Sequence, residues 1–259
     1  MSMGIFFTLF KASMKKQTQY KTDFIMSIVM SALILVSDFI VLFFLLTGFN
    51  SIKGWNIYEI ALIYSVVEFG HGVYRFFANG LNVFQNLIIS GRFDGLLIRP
   101  ISTLIQVIFQ QIEFKRLGFI IQALGVGIFG ILNLNLSFNQ ILIYLFLLLL
   151  SPIITLEISI IIASTAFWMT KNDDLVVLAF YSTKTAAVYP TSIYDKFFQY
   201  ILTFAIPLAT VGYYPVLYLT GKSENLLTLF SPVIAILIFG PLSIFIWNLG
   251  LKKYTSTGT

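Results

Sequence analysis

The sequence is short of charge. Only 10% of its 259 residues are Asp, Glu, Lys or Arg, against 58% hydrophobic; a soluble domain carries about 25% charged residues. So little polar material cannot cover a globule in water, and the chain reads as an all-α integral membrane protein. Cysteine is absent, which excludes a disulfide framework and any thiolate metal site and leaves the redox compartment unmarked. A single histidine, His71, excludes a multi-histidine metal centre. There is no G-x-x-x-x-G-K-[ST] phosphate loop, no G-x-S-x-G elbow and no zinc-ligand spacing. No catalytic residue, no metal site and no cofactor are expected in this chain. If its work is driven by a nucleotide, another chain must bind that nucleotide.

What is present is a series of apolar runs of bilayer length, each needing roughly 20 residues. Spans are expected at about 24–46, 57–78, 109–132, 141–169, 175–189 and 226–251. The fourth exceeds what a bilayer needs, and Pro152 is its expected bend point. Residues 1–22 are expected to form an interfacial helix: Ile5, Phe6, Leu9 and Phe10 recur at helical spacing, followed by Lys11, Lys15 and Lys16. A signal peptide is not expected, because the apolar run precedes the basic cluster and no small-residue cleavage site follows. The net charge of +5 then reflects lysines flanking spans rather than a nucleic-acid partner.

Lys11, Lys15, Lys16, Lys21, Arg92, Arg99, Lys171, Lys252 and Lys253 fall on one side of this scheme, and only Lys53, Lys196 and Lys222 on the other. The bias places both termini in the cytoplasm, which requires an even number of crossings. Residues 197–219, "FFQYILTFAIPLATVGYYPVLYL", are apolar enough to make a seventh span, but Pro207, Gly212 and Pro215 break them. They are therefore read as two short helices that dip into the outer face and return, within an outer segment 190–222. The whole chain, 1–259, is one domain with six crossings and no helical-array repeat.

Two groups of polar residues stand out. Asp38 lies in the first span, Glu68, His71 and Arg75 share one face of the second at i, i+3 and i+7, and Glu157 lies in the fourth. Each would cost roughly 2.5–3.5 kcal/mol uncompensated at membrane depth. They either line a transport path or form a buried packing network, of which a Glu68–Arg75 pair would be the core. Glu113, Lys115 and Arg116 are expected to snorkel at the start of the third span. Gly118, Gly125, Gly127 and Gly130 allow a close helix approach there. On the outer dip, Tyr213, Tyr214 and Tyr218 either anchor it at the interface or guide an amphipathic molecule, with Pro207 and Pro215 shaping the turn.

The second group lies between the second and third spans, in residues 79–102. Leu81, Phe84, Leu87 and Ile88 form an apolar face opposite Asn82, Gln85, Asn86 and Ser90, and Gly91 is a natural helix end. "GRFDGLLIRPIS" then interleaves Arg92, Asp94 and Arg99 with Phe93, Leu96 and Leu97, and Pro100 closes it. Such a segment either rests on lipid or docks in a partner's groove.

"GRFDGLLIRPIS" resembles the G-x-x-D-x-x-L-x-R-P-(L/I)-S signature of bacterial ABC-2 type permeases. "YKTDF" at 20–24, "YPTSIYDKFFQYILTFAIPLATVGYYPVLYLTGK" at 189–222 and "GLKKYTSTG" at 250–258 resemble further stretches of that family in the same order. Lys21 departs from the commoner arginine. The resemblance implies the non-catalytic membrane subunit of an ATP-binding-cassette exporter in a bacterial cell membrane. It implies pairing with a like or sister permease and with cytoplasmic ATPase subunits that carry ATP and Mg. It also implies that Gly91, Arg92, Phe93, Asp94, Leu96, Leu97, Arg99 and Pro100 form the ATPase-coupling segment, with the charges making contacts and the apolar residues burying in the ATPase. The expected substrate is an amphiphile: a peptide, a lipid-linked molecule or a hydrophobic drug. The rival readings are a proton-coupled secondary transporter using Glu68, His71 and Arg75, and a membrane enzyme, for which no acid–base–nucleophile cluster is found.

Overall fold

The computed structural model describes residues 21–47, 51–169 and 172–255. The expected interfacial helix therefore lies outside the described residues except at its last two positions, and Lys171 also lies outside them. Every described element is helical; an isolated bridge, Ile52 to Trp55, is the only extended pairing among the described residues.

The first expected span is helix α1 (Lys21–Thr47) and the second is α2 (Ile57–Ala78). Helix α2 starts at a capping box: the Asn56 side chain accepts from the Glu59 amide at 2.9 Å, and the Glu59 carboxylate accepts from the Asn56 amide at 2.9 Å. It is the central element, buried along most of its length. That is why the run reads as less greasy than its neighbours, since polar side chains are allowed where protein rather than lipid surrounds them.

A 3₁₀ turn (Asn79–Leu81) leads into three short helices, α3 (Phe84–Ile89), α4 (Asp94–Leu97) and α5 (Thr103–Ile108). The third span begins later than expected. Residues 110–113 are not helical; a 3₁₀ turn (Phe114–Arg116) precedes α6 (Leu117–Leu134). The delay has a cause. The Glu113 amide donates to the Phe76 carbonyl at 3.1 Å, which ties this stretch across the end of α2 and turns the Glu113 carboxylate inward.

The fourth span is α7 (Phe138–Ser164), opened by a Ser137–Gln140 capping box and continuous through Pro152, with a 3₁₀ turn (Thr165–Phe167) after it. The expected fifth span is one continuous helical run made of α8 (Asp173–Val176), a π-helical stretch (Val177–Ser182) and α9 (Thr183–Ala187), of 4, 6 and 5 residues. At about 1.5 Å per residue this is shorter than the roughly 30 Å hydrocarbon core. Helix α10 (Lys196–Tyr200) with a π stretch (Ile201–Ala205) and a 3₁₀ turn (Leu208–Thr210) with α11 (Tyr213–Leu219) form two arms bent by 81°. Helix α12 (Leu226–Lys253) closes the chain.

Among the described residues three helical stretches are long and apolar enough to cross a membrane: Phe114–Leu134, Phe138–Phe167 and Leu226–Lys253, or four with the bent pair counted as one. Helix α2 packs on α6 and α7, and α12 packs on α7 and α11. Small residues set these distances. A Cβ on Gly70 of α2 would collide with the Ser151 side chain of α7, whose hydroxyl donates to the Val66 carbonyl at 2.6 Å. Gly127 and Gly130 of α6 face Tyr144 and Leu62 of this same chain. Those two glycines are therefore used internally, not by a second subunit.

Candidate functional site

The segment 79–102 sits at the end of the molecule where α2 finishes and α12 ends. Its first half is fixed by an aromatic cluster. Phe84, fully buried, lies 4.9 Å from Trp247 of α12 and 5.1 Å from Phe167, ring centre to ring centre. Phe93 lies 5.3 Å from Phe84 and 5.0 Å from Tyr254. Gly91 takes a left-handed φ of 66°, as a glycine after a helix end does, and this reversal drops Phe93 into the cluster; its amide donates to the Leu87 carbonyl at 3.2 Å.

The coupling residues divide in consequence. Phe93 and Leu96, expected to bury in a partner, are 0% and 8% exposed inside this chain. Arg92, Leu97, Ile98, Arg99 and Pro100 are exposed, Ile98 by 86%. Asp94 points inward and accepts a hydrogen bond from the Tyr254 hydroxyl at 2.9 Å. Burial, together with this bond and the adjacent charge of Asp94, raises Tyr254 from 10.0 to about 12. The loop from 98 to 102 is braced by Gln106, whose amide donates to the Leu96 and Ile101 carbonyls at 3.0 and 2.8 Å. The outward face is thus two arginines flanking an apolar ridge on a braced loop. Ile98 and Gln106 were not singled out from the sequence; Ile98 continues the Leu96–Leu97 run and could have been.

The expected Glu68–Arg75 pair does not form. Two helical turns separate them, and each has its own partner from another segment. Glu68 is ion-paired with Lys184 of α9. Arg75 binds the Tyr181 hydroxyl and lies 3.9 Å from Glu113. His71 stacks near Phe180, with ring centres 5.1 Å apart. Glu113 does not snorkel: it is 8% exposed. Its carboxylate also takes Arg116 at 2.9 Å, Lys115 at 3.7 Å and the Asn79 amide at 2.8 Å. Lys184 and Tyr181 were missed; a lysine inside the apolar run 175–189 was the available signal. Glu157 is on α7 against α12, apart from this network. The Asp38 side chain lies outside the described residues.

At the opposite end, Tyr213 packs on Trp55 with ring centres 5.4 Å apart. Lys222 bridges Glu59 at 3.1 Å and the Gly54 carbonyl at 2.6 Å. Pro215 is buried beneath the bend. Pro207 and Tyr214, with Thr203, Phe204, Ile234 and Ile238, line a cavity of about 490 Å³ between the bent pair and α12. The Tyr214 hydroxyl is bonded to Thr203 at 3.0 Å, so the wall presented is apolar. Among the described residues no group of His, Asp or Glu could hold a metal ion.

A family model described as "ABC-2 family transporter protein" matches residues 32–258. No curated protein and no solved structure matches the chain.

Proposed function

We propose that this chain, which belongs to the ABC-2 family transporter proteins and is thereby a membrane permease component of an ABC transporter, works as an exporter subunit. It moves an amphiphilic substrate while separate ATPase subunits hydrolyse ATP with Mg. It pairs with a second permease, the same chain or a sister. It crosses a bacterial plasma membrane six times with both termini in the cytoplasm, and residues 190–222 dip in from the outer face. It performs no catalysis itself.

The observation that carries the reading is the split of residues 91–100. One side is locked by Phe93 and Asp94 to the end of α12, and the other presents Arg92, Leu97, Ile98 and Arg99. A partner that grips the outward side pulls on α12 through a packed aromatic cluster, as a lever must if nucleotide-driven closure is to reach the membrane. The two arginines suit an acidic rim and the ridge suits an apolar groove. The amphiphile assignment rests on the apolar cavity under the bend, whose size falls within the roughly 300–1,000 Å³ of ligand pockets.

Arg99→Glu tests the coupling. The variant is expected to insert and accumulate normally while ATPase recovered with the tagged chain falls at least several-fold. Undiminished recovery of the ATPase removes Arg99 from the contact. Recovery of the wild-type chain alone, even after cross-linking in cells, removes the ATPase reading altogether.

A further inference from the structure

Glu113, just before α6, is surrounded by more positive charge than it balances. Arg116 Nε lies 2.9 Å, Lys115 Nζ 3.7 Å and Arg75 Nη2 3.9 Å from its Oε2. Its Oε1 takes neutral amides, from Asn79 at 2.8 Å and Gln111 at 3.3 Å. Three cations thus meet one anion, and the group keeps an excess of positive charge. Arg75 and Glu113 are buried and the side chain of Arg116 is 18% exposed, so water screens that excess poorly.

The neighbouring acids do not make up the difference. Glu68 is ion-paired with Lys184. Helix α1 packs on the turn at 114–116, with the Phe24 and Phe114 ring centres 6.3 Å apart. Its Asp23 is exposed and stands two residues from the equally exposed Lys21. Asp38 is about 20 Å further along α1 at about 1.5 Å per residue, beside Phe39, which packs on Tyr64 and Phe129. Asp173 and Asp174 follow Asn172, whose bonds to Gln85 and Thr165 set that turn against the end of α7. Residues 1–20 contain Lys11, Lys15 and Lys16 and no Asp or Glu. The missing negative charge has to come from another molecule.

Two of the cations still have donors to give. Arg116 donates Nε–H to Glu113 and lays its guanidinium over Phe119, 5.1 Å from the ring centre. Its two Nη groups have no acceptor among the described residues and are not enclosed by them. The Lys115 side chain is 46% exposed, and at 3.7 Å from Glu113 its ammonium makes an ion pair but no hydrogen bond. Both heads approach the same Glu113 oxygen, so they stand side by side. They do so where a stretch able to cross a membrane, Phe114–Leu134, begins, which is the depth of the lipid phosphates. A phosphodiester supplies what is lacking: a negative charge and two oxygens, one for the Arg116 fork and one for Lys115. We propose that Lys115 and Arg116, held together by Glu113, bind the phosphate of an anionic phospholipid. A zwitterionic lipid carries the same phosphate but brings its own cation, and so leaves the excess charge in place. The site lies outside residues 91–100. It rests on the chain being a membrane protein, not on the coupling or the orientation proposed above.

Native mass spectrometry of the full chain, purified with its bound subunits, counts the lipids retained on it. The probes are phosphatidylglycerol, phosphatidylcholine and inorganic phosphate. The wild type is expected to retain phosphatidylglycerol several-fold more tightly than phosphatidylcholine. Lys115→Gln keeps the Arg116–Glu113 bridge and is expected to fold; it should reduce that preference several-fold, and Lys115→Arg should restore it. Lys115→Gln with Arg116→Gln should abolish it, while Lys252→Gln with Lys253→Gln, at the end of α12, should leave it unchanged. Equal retention of the two lipids by the wild type overturns the proposal, as does a preference that Lys115→Gln keeps in full. Displacement of phosphatidylglycerol by millimolar inorganic phosphate would assign the site to a free anion. Loss of a co-purified ATPase from Lys115→Gln, with lipid retention unchanged, would assign it to a protein contact. Either result overturns the lipid site.

Discussion

Lys184 and Glu68 show how the cost of a charge inside the bundle is met. Both side chains are mostly buried, so removing one partner strands the other. Lys184→Met is expected to lower stability by ~3–5 kcal/mol. Adding Glu68→Gln should recover most of that loss, because a neutral pair leaves no stranded charge; thermal unfolding in detergent measures both. Export by the double variant at the wild-type rate is expected of a packing pair, and export lost without loss of protein would place Glu68 on the path. Tyr254 gives a pH signature. Its hydroxyl is protonated while bonded to Asp94, and its value is raised from 10.0 to about 12. The folded state therefore holds the proton more tightly than the unfolded one. This contribution is complete below about pH 10 and is lost between about pH 10 and pH 12 as the unfolded chain ionises first. Tyr254→Phe should flatten that part of a stability–pH curve. The face shared by Glu68, His71 and Arg75 could be read from spacing on one helix. Their partners could not, because pairing to Lys184 and Glu113 depends on how segments more than thirty positions away pack.

At the scale of elements, length and apolarity placed α1, α2, α7 and α12 within a few residues of where they lie. The failures came where tertiary contacts override local pattern. The third span is expected to start at about 109, yet Glu113 is drawn to Arg75 and Asn79, residues 110–113 are not helical, and the helix starts only after them. The expected run 175–189 falls in one continuous helical stretch, 173–187, which takes π geometry about Phe180 and Tyr181, the residues that meet His71 and Arg75; a π stretch of this kind marks a place where packing outweighs helix geometry. The segment 79–102 was legible as amphipathic, but which apolar residues face inward was not, since Gly91 reverses the chain between Phe84 and Phe93. The cluster of Phe84, Phe93, Phe167, Trp247 and Tyr254 makes this segment and the end of α12 one mechanical unit. Phe84→Ala should cost ~3–5 kcal/mol locally. Its specific sign is a complex that still binds the ATPase through Arg92 and Arg99 but whose ATP hydrolysis no longer drives export, as an ATPase-to-transport ratio would show.

The molecule as a whole is built from the inside out around α2, with apolar helices exposed outward. Of the membrane-capable stretches, that of α7 is 56% buried and that of α12 only 22%. This matches a core helix and a helix left to lipid, and it explains a composition with 10% charge. Among the described residues, Lys184 holds Glu68, and Arg75, Lys115 and Arg116 surround Glu113. Glu157 stands separate from both groups. A proton-coupled carrier needs a chain of groups that exchange protons from one face to the other, and among the described residues these partnerships do not join into one. On the coupling proposed above, energy enters from outside the chain, through residues 91–100. In proteoliposomes carrying the permease and its co-purified subunits, a protonophore should leave export unchanged, while withholding ATP should stop it. The opposite result, export that follows the proton gradient and ignores ATP, would require Glu68, His71 and Arg75 to leave their partners during each cycle, and the Lys184→Met, Glu68→Gln double variant would then be inactive.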